Sequence, residues 1–210
     1  MMRAAERLFA EHGVTNVTIR DILAGSGQKN ESALQYHFGN LAGLIAAIHE
    51  ERSEQIRQQR GIVLTQLLET QPSPKLRDIC KLMILPNFQL ARANVDFRRY
   101  IKAFGHEIAL ARAPLEIVSS KGGGGNSGVR LGQLLFEALP HLDEASYRRR
   151  MDSAIIFSAT SMYRQARSKN AFRGPASDLF LEDLVDALEG LLSAPVSKET
   201  RQLAKQNNKR

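Results

Sequence analysis

The stretch "TIRDILAGSGQKNESALQYHF", Thr18 to Phe38, decides how this chain is read. It joins a short amphipathic run, a glycine-containing turn and a second short run, the pattern of a helix-turn-helix. Thr18 offers an N-cap oxygen to a helix whose Ile19, Ile22 and Leu23 face inward, and "GSGQKN" breaks it. On a wheel advancing about 100° per residue, Leu34 and Phe38 fall together. Lys29, Ser32 and Tyr36 point the opposite way, with Ala33 and Gln35 flanking them. The inward pair anchors the second helix, while the outward set is small, polar and aromatic, suited to a DNA groove. Gln reads adenine bidentately, Ser is adaptable, Ala touches a thymine methyl, and Tyr or His bonds phosphate oxygens.

The surroundings of this stretch are helical in pattern. Upstream, Ala4, Leu8 and Phe9 form an apolar stripe that stops at Gly13. Downstream, Leu44, Ile45, Ile48, Ile56 and Leu64 mark one long helix to about Thr70, ended by "QPSP". Its middle, "HEERSEQIRQQR", is nearly all polar, as expected where a helix bridges two lobes. "LRDICKLMILPNFQLAR" predicts an apolar helix kinked at Pro86, and "VDFRRYIKAFGHEIALAR" another. "KGGGGNSG" reads as a mobile loop. Helices over roughly 144–168 and 177–192 close the fold, and disorder is expected beyond Pro195. No strand or internal repeat is evident.

Composition narrows the class. The 210 residues are 43% hydrophobic and 24% charged, as in a globular protein. No apolar run approaches the roughly 20 residues that span a bilayer, and Glu6 and Glu11 interrupt any signal-peptide core, so the cytoplasm is the expected location. The single cysteine, Cys80, excludes an internal disulfide and paired-cysteine metal sites, and is read as a small buried hydrophobe. The formal charge of +7 favours polyanions, yet the first 50 residues are balanced. The excess sits at Arg98-Arg99, at Arg148 to Arg150, and in "SKETRQLAKQNNKR", with five basic residues against one Glu. Arg148 to Arg150 reads as a solvated helix start or as a reach toward nucleic acid. "KGGGGNSG" lacks the Gly-Lys-Ser/Thr ending of a phosphate-binding loop.

Taken together, "AAERLFAEHGVTNVTIRDILAGSGQKNESALQYHFGNLAGLIAAI" resembles the DNA-binding domain of the TetR family of transcriptional regulators. Leu8-Phe9, His12-Gly13, Thr18, Ile22 and Tyr36-His37-Phe38 carry the resemblance, over about the first 50 residues. It implies an all-α fold: a three-helix helix-turn-helix domain joined by a long helix to a larger helical domain for ligand binding and dimerisation. The expected divisions are 1–48, 49–195, and a disordered basic tail at 196–210. DNA contacts are expected from Thr18, Arg20, Lys29, Asn30, Ser32, Ala33, Gln35, Tyr36 and His37. Two departures stand out: one extra residue between the turn glycine and the recognition helix, and Leu41 and Ala42 where the family often carries a phosphate-holding lysine.

By the same resemblance the second domain encloses an inducer pocket and pairs with its twin. Met83, Phe88, Phe97, Tyr100, Ile101, Phe104, Met162 and Tyr163 are the candidate lining for a small apolar inducer. Ala154, Phe157, Ser158, Ser161, Leu181, Leu184, Val185 and Leu188 are the candidate homodimer interface. The expected function is a ligand-responsive repressor on a near-palindromic double-stranded DNA operator, without cofactor, metal or enzymatic activity. The alternatives are an activator, a regulator without a small ligand, or a helical small-molecule-binding protein or enzyme with a structural N-terminal lobe. No Gly-x-Ser-x-Gly and no catalytic triad supports the enzyme.

Overall fold

The computed structural model describes residues 1–28, 31–112, 114–115 and 125–207, all of them helix, turn or irregular chain with no strand among them. Helices α1 (Met2–His12), α2 (Ile19–Gly25) and α3 (Glu31–Phe38) open the chain, with a 3-10 turn at Val14–Asn16. Helix α4 (Leu41–Thr70) follows, about 45 Å long at 1.5 Å per residue. The remainder is α5 (Leu76–Ala93), α6 (Val95–Phe104), α7 (Glu107–Leu110), α8 (Gly125–Ala138), α9 (Glu144–Ala166), α10 (Pro175–Ser193) and α11 (Lys198–Asn207). No helix among the described residues is long and apolar enough to cross a membrane.

Side-chain caps set several of these boundaries. Asn40 accepts from the Gly43 N–H at the start of α4, and Asn94 from Asp96 and Phe97 at the start of α6. Asp143 does the same for Ser146 in α9. The far end of α10 is capped from outside: Arg150 donates to the carbonyls of Leu191 at 3.2 Å and Leu192 at 3.0 Å, and to those of Ala194 and Pro195. Arg150 is thus held against a helix C-terminus, where a cation is favoured.

Four expectations are corrected. The long run after Val95 is two helices, because α6 ends at Phe104 and turns at Gly105. A β-carbon on Gly105 would press on the Ile101 carbonyl and on Tyr163 of α9. The glycine-rich stretch is helical from Gly125 onward, with residues 121–124 outside the described part. Leu134 and Leu135 of that helix are buried in the main core, and such packing outweighs the poor propensity of its glycines. The tail expected to be disordered carries α11, opened by the Ser197 hydroxyl accepting from the Thr200 N–H at 3.1 Å. Finally, the polar middle of α4 is not all solvated: Arg52 is 1% exposed.

The main core gathers α4, α5, α6, α8, α9 and α10, with Cys80 fully buried, which pushes its thiol up to about 12. A second cluster holds the N-terminal helices together: Ala5, Phe9, Val17, Ile22, Leu34, Leu44 and Ile48. Ala103 and Phe104 of α6 belong to this second cluster, and Tyr100 packs against both. Phe104 meets Phe9 edge-on at 5.7 Å and His49 at 4.7 Å. Helix α6 is therefore the wedge joining the two lobes.

Beneath that wedge lies a buried ion pair. Glu6 of α1 accepts from Arg52 of α4 through both oxygens, at 2.6 and 2.7 Å, and both side chains are essentially unexposed. Arg52 also donates to Gln55 at 2.8 Å and lies 5.7 Å from the Phe97 ring of α6, while Arg3 adds a further donor to Glu6. A bidentate pair with its remaining donors used is tolerable in a dry site; half of it is not. Arg52→Ala should lower unfolding stability by about 3–5 kcal/mol, as should Glu6→Ala. The double replacement Glu6→Leu, Arg52→Met should cost much less than the sum of the two, measured by urea denaturation.

Candidate nucleic-acid interface

The turn between α2 and α3 is built by backbone. The N–H groups of Ser26, Gly27 and Gln28 return to the carbonyls of Ile22, Ala24 and Leu23 at 3.0, 3.2 and 3.0 Å. Gly27 sits at φ 71°, a left-handed conformation that side chains with a β-carbon disfavour. At the other end of α3, Gly39 at φ 73° reverses the chain into α4. A β-carbon on Gly43 would collide with the Phe38 carbonyl oxygen, so the first turn of α4 closes directly on the last turn of α3. That contact sets the angle at which α3 projects.

The faces of α3 separate as its spacing predicts. Leu34 is 2% exposed and joins the N-terminal cluster, with half-buried Phe38 packed beside it. Tyr36 is 86% exposed, and Ser32, Gln35 and His37 are exposed as well. The Tyr36 and His37 rings meet edge-on at 5.0 Å, forming one aromatic and imidazole ledge. Ala33 is half-buried. Lys29 and Asn30 lie outside the described residues. Hydrogen-bonding side chains carried outward by a buried anchor are the means by which a helix offers groups to base edges and phosphates.

Thr18 has work of its own. Its hydroxyl donates to the Asp21 carboxylate at 2.6 Å and accepts from the Asp21 N–H at 3.3 Å, and its own N–H donates to the same carboxylate at 2.8 Å. This capping box holds the Asp21 carboxyl below its ordinary value, the Thr18 hydroxyl being the largest cause. A hydroxyl already donating to Asp21 has no proton left for a phosphate oxygen. Contact with DNA from Thr18 requires that bond to be exchanged. Arg20 is exposed two residues on, in the first turn of α2.

The other two groups of candidates are placed differently. Phe88, Phe97, Ile101 and Met162 are buried in the main core and Phe104 in the N-terminal cluster, whereas Met83, Tyr100 and Tyr163 are half-buried. None of the eight lines the cleft of about 310 Å³ beside α1 and α6. Of the interface candidates, Ala154, Leu181, Leu184, Val185 and Leu188 are buried within the single chain. Their side chains pack into the chain's own core. Phe157 is exposed and Ser158 and Ser161 are half-buried on α9, and Leu179 is the exposed apolar residue of α10 that the pattern reading missed. Glu6, Arg52 and Gly43 were also missed. An acidic residue four before Ala10 or a glycine in a helix carries no signal until its neighbour is known.

No group of His, Cys, Asp and Glu side chains among the described residues is arranged to hold a metal ion. Residues 1–48 match the family model of bacterial regulatory proteins of the tetR family. The comparison with curated proteins finds no match.

The two faces of α3 make opposite demands. Tyr36→Ala and Gln35→Ala should change stability by no more than about 0.5 kcal/mol, as exposed substitutions do, and should abolish sequence-specific binding to duplex DNA. Leu34→Ala should instead cost about 2–5 kcal/mol in denaturant titration.

Proposed function

We propose that this chain, whose first 48 residues match the family model of tetR-type bacterial regulatory proteins, is a DNA-binding transcriptional regulator of that family and a repressor that holds a near-palindromic operator as a homodimer and releases it when a small ligand binds the helical domain. The observation that carries the DNA-binding reading is the exposed Gln35, Tyr36 and His37 edge mounted on buried Leu34. Two copies would set two such helices in successive major grooves about 34 Å apart. The α4 helix start, capped by Asn40, supplies backbone N–H groups for a phosphate in place of the lysine absent at Leu41 and Ala42.

For the dimer, support comes from the outward sides of α9 and α10, where Phe157 and Leu179 are exposed beside Ser158 and Ser161. Small residues with isolated large apolar ones suit a helix pair meeting its twin across a two-fold axis. For the ligand, support comes from α5. The Asn87 Oδ1 is buried with no hydrogen-bond partner among the described residues, a condition that costs about 1–3 kcal/mol and that a ligand donor would relieve. Half-buried Met83, Tyr100 and Tyr163 are the candidates for residues that part around such a ligand. Release then follows as a population shift, limited to the ligand's differential affinity for the two forms.

Selection from random duplex DNA at near-physiological salt should enrich a near-palindrome with half-sites about one helical turn apart. Enrichment of nothing, with only salt-sensitive binding, would remove the operator reading. In sedimentation, Phe157→Asp with Leu179→Asp should convert dimer to monomer and weaken the palindrome far more than a single half-site.

A further inference from the structure

A cleft of about 310 Å³ opens where the two lobes meet, walled by α1, by α6 and by the turn from α9 to α10. Six cationic side chains line it: Arg7, Arg98, Arg99, Lys102, Lys169 and Arg173. One carboxylate, Glu11, faces them. Among the described residues only Arg99 has an acidic partner, Asp96 at 2.8 Å. Arg98 is bonded to the carbonyls of Ala91 and Arg92, and Arg7 to that of Gly25. The side chains of Lys102, Lys169 and Arg173 make no hydrogen bond or ion pair among the described residues.

The turn that brings Lys169 and Arg173 to the cleft is anchored. Phe172 is fully buried at φ 59°, its ring 5.6 Å from Phe88, and its carbonyl accepts from Arg92 Nε at 3.0 Å. On α6, Arg98, Arg99 and Lys102 share the side opposite the buried Phe97, Ile101 and Phe104. The cluster is therefore held on two fixed walls, with buried Ala10 and Ala166 behind it. Burial holds the Arg98 guanidinium below its ordinary value, and the charges of Arg173 and Arg99 push it further the same way. These six cations repel one another, and the carboxylates beside them, Glu11 and the Asp96 paired with Arg99, are outnumbered.

We propose that this cleft binds a small multivalent oxyanion, bearing phosphate or carboxylate groups, between the two lobes. Its volume lies at the lower end of the usual ligand range of roughly 300–1,000 Å³. A concavity lined by one sign of charge focuses its field on a compact counter-ion, and guanidinium forks match the paired oxygens of phosphate and carboxylate. Duplex DNA spreads its charge along an extended backbone, whereas these six side chains converge on one hollow. Because α1 and α6 both supply donors, a bound anion ties the lobes together. The site stands or falls independently of the operator reading.

The test is titration calorimetry on the full chain with pyrophosphate and with citrate, at constant ionic strength. The expected result is saturable binding of one anion per chain by at least one of the two, weakened tenfold or more in Lys169→Ala, Arg173→Ala. These two exposed positions leave folding intact, and Lys102→Gln is the second variant on the opposite wall. Lys198→Ala, Lys205→Ala on α11 removes the same charge elsewhere and should change affinity less than twofold. Absence of saturation with either probe, or equal losses in the cleft and α11 variants, would overturn the site in favour of diffuse attraction to a basic protein. Loss of duplex affinity in the cleft variant, with its salt dependence reduced by about two counterions and no anion binding in the wild type, would assign the cleft to DNA backbone instead.

Discussion

One buried ion pair fixes how α1 sits on α4. Glu6 and Arg52 are separated by 46 positions and meet where α1, α4 and α6 converge, beside the Phe97 ring. Arg52 meets both Glu6 oxygens, with Arg3 as a further donor to Glu6 and Gln55 as a further acceptor for Arg52, so the position of α1 on α4 is determined to within hydrogen-bond geometry. The apolar wedge of Phe104 against Phe9 and His49 then completes the joint. His49 in turn reaches Tyr100 at 3.2 Å, so a polar contact crosses the same boundary. A two-lobed molecule built this way moves as its joint permits.

This joint clarifies the electrostatics of the N-terminal lobe. Two of its acids are engaged by neighbours: Glu6 by Arg52, and Asp21 by the Thr18 cap. Among the described residues, the exposed side of α3 carries the hydrogen-bonding groups of Ser32, Gln35, Tyr36 and His37. Such side chains act at close range, through shape and hydrogen bonding. The strongly basic regions of the chain lie elsewhere, at the interlobe cleft and along α11.

Elements whose partners are local in sequence were legible, and those defined by distant neighbours were not. The spacing of Leu34 against Tyr36 separated inside from outside on α3, and Thr18 announced the start of α2. Apolar periodicity on α10 announced a buried face equally well, yet could not say what buries it. Leu184, Val185 and Leu188 lie in the chain's own core. In the same way, the polar middle of α4 concealed Arg52, because a charged residue paired across 46 positions looks like a solvated one in a list of letters. Gly125 to Ala138 reversed the reading of a glycine-rich run, since Leu134 and Leu135 gain more from the core than the glycines lose.

The boundary near residue 48 is a boundary of sequence pattern, and the packing disregards it. Ala103 and Phe104 complete the cluster around Phe9 and Leu44, and Arg52 neutralises Glu6 from beyond that point. A segment cut at residue 48 would leave Glu6 without Arg52 and Phe9 without the Phe104 ring. Positions 6, 52 and 104 therefore form one joint, and the N-terminal helices keep their packing only where all three are present together.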